Sequence, residues 1–67
     1  MRMNIDIQKL IEARVESGFN IAEIVEKTGI SRATLWRIET GKSKPTARVL
    51  GKLCEFYNKQ ASYFLRG

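Results

Sequence analysis

Histidine is absent from the 67 residues. Imidazole-based catalysis and the usual zinc sites are therefore excluded. The one cysteine, Cys54, allows no intrachain disulfide, which fits a reducing compartment. Proline occurs once, at Pro45, so little interrupts helix formation. No apolar run is long enough for a signal peptide or a membrane span, and the expected location is the cytoplasm, with no membrane partner. There is no glycine-rich phosphate loop, no internal repeat and no low-complexity stretch. The acidic side chains are dispersed along the chain. Catalysis is consequently the weakest reading: no catalytic residue, metal ligand or cofactor is expected.

What is present is an uneven charge. Residues 1–31 carry four basic and five acidic side chains, whereas residues 32–67 carry eight basic and two acidic ones. The whole chain has a net charge of +5. A basic half beside a slightly acidic half points one surface at a polyanion, and nucleic acid is the first candidate. The length allows a single domain over 1–67 with a small core and little stability to spare.

Glycines at 18, 29 and 41 divide the chain into short helical patterns. The first runs from about Asp6 to Ser17, with Ile7, Leu10 and Ile11 in helical spacing. The second, about Ile21 to Thr28, opens on Asn20 as N-cap with Glu23 as capping-box partner, and Phe19 is placed to staple onto Ile24. The third, about Arg32 to Thr40, is capped by Ser31 and turns Leu35 and Ile38 inward. The fourth, about Ala47 to Tyr57, follows Pro45 and a Thr46 cap, and carries an inward stripe of Leu50, Leu53, Cys54 and Tyr57. A short fifth spans about Ala61 to Leu65. No segment alternates as a half-buried strand does. The expected fold is all-α, a compact bundle of about five short helices.

Residues 21–40 place two helices around a tight turn at Gly29 and Ile30, the layout in which a second helix enters the DNA major groove. The stretch FNIAEIVEKTGISRATLWRIETGKSKP resembles the helix-turn-helix of phage repressor and Cro proteins, the Cro/CI or Xre-type family. The resemblance extends over about residues 7 to 65 and is strongest in GISRATLWRIETGK. It implies a lambda repressor-like DNA-binding domain. It also implies a partly buried salt bridge between Arg14 and Glu39, which removal of either partner would disrupt. Two positions depart from the family. Ile21 stands where a phosphate-contacting glutamine is usual, and Val25 where alanine is usual at the close helix contact.

On the recognition helix Arg32, Ala33, Trp36 and Arg37 fall opposite Leu35 and Ile38. Arginine matches the O6 and N7 acceptors of guanine, and the Ala33 methyl suits a thymine methyl. These four are the candidate base readers, the bland alternative being a solvated helix face with ion pairs. For Trp36 that alternative is packing against the domain or a partner, since indole suits either role. Candidate phosphate contacts are Asn20, at a helix N-terminus, with Ser31, Thr34, Thr40, Lys42, Ser43 and Lys44. Arg48 and Lys52 are expected to add only to the field.

A single recognition helix reads few base pairs, so a homodimer on an inverted-repeat operator in double-stranded DNA is expected. Phe56, Tyr63, Phe64 and Leu65 are the candidate dimer surface; alternatively they close the monomer core. The resulting function is a sequence-specific transcriptional regulator, a repressor acting by operator occupancy. The competing class is an antitoxin or protein-interaction module on the same fold. RNA is disfavoured because the A-form major groove does not admit a helix.

Overall fold

The computed structural model describes residues 4–66. Each of its four longer helices begins at a polar residue in extended conformation whose side chain accepts the backbone N–H three positions on. Asp6 accepts from Lys9, Asn20 from Glu23, Ser31 from Thr34 and Thr46 from Val49. Such caps satisfy amide donors that have no partner in the helix, and each stabilises by about 1 kcal/mol. The helices they open are α1 (Ile7–Ser17), α2 (Ile21–Thr28), α3 (Arg32–Glu39) and α4 (Ala47–Tyr57), followed by a single turn, α5 (Ala61–Phe64). The observed bounds lie within a residue of those read from the sequence. Asp6 is the cap of α1 and Thr40 closes α3, so neither is inside its helix.

The turn between α2 and α3 depends on Gly29, whose φ of 75° lets its N–H reach back to the Val25 carbonyl. Gly41, after α3, has φ 78°. A Cβ there would also stand 3.1 Å from Ile7 Cδ1. The chain passes so close to α1 that only glycine fits without displacement.

Every helix contributes to one core. Leu10 and Ala13 come from α1, Ile24 from α2, Leu35 and Ile38 from α3, Leu53 from α4 and Phe64 from α5, with Ile30 from the turn. Leu53 is the fully buried member of the α4 stripe, while Leu50, Cys54 and Tyr57 pack against it half-buried.

Two short strands depart from the all-helical expectation in detail, though the fold remains a small all-α bundle. Strand β1 (Asn4–Ile5) pairs antiparallel with β2 (Leu65–Arg66), Asn4 opposite Arg66 and Ile5 opposite Leu65. Asp6 N–H then donates to the Phe64 carbonyl at 2.7 Å. Two residues are too few to show alternation, so this pairing leaves no pattern in the sequence. It also ends α5 at Phe64, because Leu65 is extended rather than helical.

Candidate nucleic-acid interface

Leu35 and Ile38, both 3 % exposed, fasten α3 to the core. The residues on its opposite side, Arg32, Ala33, Trp36 and Arg37, all face solvent. Trp36 is 56 % exposed. Lys42 extends back over it, its ammonium 5.7 Å from the ring centroid. A large indole left in water is costly to maintain on a solvated surface, and a cation over its face offsets part of that cost.

The end of α3 is held from two directions. Arg14 Nε donates to both carboxylate oxygens of Glu39, at 2.9 and 3.1 Å. This bridge ties α1 to the last residue of α3. Tyr57 of α4 packs nearby, and its phenol is pushed up to about 12, first by burial and then by the negative charge of Glu39, with Arg14 opposing. Beyond the helix, the amides of Lys42 and Ser43 both donate to the Arg37 carbonyl, so the following loop is folded back onto α3.

The candidate phosphate contacts divide by the availability of their donors. At Asn20 the capping box is complete: its N–H donates to Glu23 Oε1 at 2.9 Å and its Oδ1 accepts from Glu23 N–H at 2.8 Å. The Glu23 carboxylate thus already occupies the anion position at the start of α2. The Ser31 hydroxyl donates to Thr34 Oγ1 at 2.8 Å, and the Thr40 hydroxyl donates to the Trp36 carbonyl at 2.8 Å. Both protons are engaged within the helix. Lys42, Ser43 and Lys44 are exposed, and the last two line a groove with Thr34 and Arg37. On the α1 side Ile11, Ile21, Arg32 and Trp36 border a different groove of about 370 Å³.

The C-terminal aromatics form a chain of contacts through the monomer. Ring centroids are 5.4 Å apart for Phe19–Phe56, 5.2 Å for Phe56–Tyr57, 6.2 Å for Tyr57–Phe64 and 5.2 Å for Tyr63–Phe64. Phe64 is 0 % exposed and is removed from the candidate dimer surface. The turn that carries it packs against α1 and α4, and Phe64 is one of the largest fully buried side chains of the core. Phe56, Tyr63 and Leu65 are half-buried, and Tyr63 carries the ammonium groups of Lys9 and Lys59 at 5.0 and 4.6 Å from its centroid.

The fold sets Arg48 and Lys52, expected to add only to the field, beside the turn and the start of α3. Their four-residue spacing puts both on one side of α4. Among the described residues no group of three or more His, Cys, Asp or Glu side chains could hold a metal, and no helix is long and apolar enough to cross a membrane. Burial raises the Cys54 thiol above its ordinary value, which lowers its reactivity.

Two capped helices about a left-handed glycine, with the second anchored by Leu35 and Ile38 and bare on its other face, define a helix-turn-helix protein. The helix-turn-helix domain family matches residues 7–67, and the chain belongs to it, as a member of the Cro/CI-like kind. A similar protein is the HTH-type transcriptional regulator SutR of Escherichia coli (strain K12), 34 % identical over 56 residues. The match takes in 84 % of this chain and 32 % of that regulator, so the chain spans about a third of its relative's length. No solved structure matches the chain significantly.

Proposed function

We propose that this protein is a sequence-specific double-stranded DNA-binding regulator of transcription, acting as a repressor by occupying its operator. The observation that carries this reading is the bare face of α3. Arg32, Ala33, Trp36 and Arg37 project from a helix whose other side is locked into the core and whose end is pinned through Glu39 to Arg14. A helix held this rigidly can insert into the major groove with the arginines directed at guanine edges. Lys42, Ser43 and Lys44 then meet the bordering phosphates, together with the Thr34 side chain. Asn20 contributes through its side-chain amide N–H groups, whereas Ser31 and Thr40 contribute less, since their hydroxyl protons and the Thr40 N–H are already engaged. The domain-wide match and the regulator named among its relatives support the same reading.

Specificity from so short a reading helix calls for two copies on half-sites about one DNA turn, ~34 Å, apart. Phe56, Tyr63 and Leu65 remain the proposed contact between copies. Selection of bound sequences from random duplex DNA, with wild type and Arg37→Ala in parallel, tests the proposal. An enriched inverted repeat whose base preference relaxes in the variant is expected. Salt-sensitive binding without any enriched sequence would instead leave a protein-interaction module, such as an antitoxin, as the better account.

A further inference from the structure

The cationic surface continues past the loop after α3 and along α4. Arg48 and Lys52 are four residues apart on that helix, a rise of about 6 Å, and so lie on one side of it. Both line a shallow groove of about 350 Å³ that also takes in Ser31, Thr34 and Thr46. Lys52 reaches over the turn itself, its Nζ 3.8 Å from where a Cβ on Gly29 would stand. An adjoining groove of about 190 Å³ is lined by Arg37, Ser43 and Lys44. Thr34, Thr46 and Val49 border both, so the two form one channel down the α4 side of α3.

The channel is unlike its counterpart on the α1 side. There, Arg14 is committed to Glu39. No carboxylate lines either groove of the channel, and among the described residues none of Arg37, Lys44, Arg48 and Lys52 makes a salt bridge. Four like charges along one channel repel one another, with Glu55 beside Lys52 only in a neighbouring groove, and a row of external anions relieves that repulsion. Hydroxyl groups between the cations supply further hydrogen-bonding partners for phosphate oxygens.

We propose that Arg48 and Lys52 of α4 form a second phosphate-binding surface, which takes the sugar-phosphate backbone of the DNA strand bordering the α4 side of the recognition helix. This rests on the DNA-binding reading above and extends it from the loop after α3 to a whole helix. The contacts carry no base information: they set the depth and register at which α3 sits.

The test is the salt dependence of binding to the selected duplex by wild type, Arg48→Gln, Lys52→Gln and Lys59→Gln. Lys59 serves as a control of equal charge, because it lies over Tyr63 and borders neither groove. Each of the first two variants is expected to flatten the slope of log K against log salt by about 0.9, one phosphate contact each, without changing the preferred sequence. Lys59→Gln keeps the wild-type slope, and all variants keep the wild-type melting temperature. If wild type selects a sequence and neither Arg48→Gln nor Lys52→Gln changes the slope more than Lys59→Gln does, the second surface is overturned while the base-reading helix stands. Flattened slopes in a protein that selects no sequence would retain the surface and remove the base reading. A wild type that binds no duplex DNA overturns both.

Discussion

Arg14 and Glu39, 25 residues apart, meet through a single guanidinium nitrogen, Nε, placed between both carboxylate oxygens. The contact joins the last turn of α1 to the last residue of α3, so the orientation of the recognition helix is set by a polar bond as well as by Leu35 and Ile38. Side-chain exposures of 27 % for Arg14 and 16 % for Glu39 place the pair between the surface and buried extremes. Arg14→Ala or Glu39→Ala is expected to cost about 2 kcal/mol, less than a fully buried pair because water reaches the guanidinium. Urea unfolding of both single variants and the double variant measures it. A double variant no worse than either single one is the expected sign of direct coupling.

Tyr57 links the same pair to pH. Its phenol ionises near 12 when folded, against 10 in the unfolded chain, so the folded state holds the proton more tightly. Stability from this group is complete below pH 10 and falls as the pH rises from 10 toward 12, where the unfolded tyrosine ionises first. Alkaline unfolding followed by circular dichroism should show this loss in wild type and a smaller one in Tyr57→Phe. Glu39→Gln should bring the phenol's titration, read by ultraviolet difference absorbance, back toward 10 without reaching it, since burial is the larger cause.

Phe64 is a core residue, so Phe64→Ala should cost about 3–5 kcal/mol, a large share of the stability of so small a domain, and lower its melting temperature steeply. Tyr63→Ala, at a half-buried position, should be milder. Thermal melts at two protein concentrations separate this from a role between copies. The Phe64→Ala loss is expected to be the same at both.

Gly41→Ala must adopt φ 78° and place a Cβ 3.1 Å from Ile7 Cδ1. A loss of about 1–2 kcal/mol is expected, seen as a lowered melting temperature. Coupling with Ile7→Ala would identify the part due to crowding, because the smaller side chain removes the close atom while the backbone strain remains.

Trp36 is the chain's one tryptophan, so its fluorescence reports on the bare face of α3. Emission characteristic of a solvated indole is expected for the free protein. Addition of the selected duplex should shift it to shorter wavelength as water leaves the ring. An unchanged spectrum at saturating DNA would place the indole outside the interface.

Much of the framework was legible in the chain because it depends on neighbours in sequence. Asn20, Ser31 and Thr46 cap their helices through bonds spanning three residues, Gly29 supplies a single dihedral, and Leu35 with Ile38 follow one helical period. These local preferences decided that there would be a helix-turn-helix and which side of α3 would be bare.

Other features were decided only when distant segments met. Phe64 became a fully buried core residue, although its aromatic neighbours made it resemble a surface patch, because α1 and α4 pack against the turn that carries it. The β1–β2 pair is backbone bonding between opposite ends of the chain, which no side-chain pattern encodes. Arg48 and Lys52 read as ordinary charges on α4 until packing carried that helix alongside the turn at Gly29. Periodicity states which way a residue faces on its own element; what it faces depends on contacts between elements, and those exist only in the folded chain.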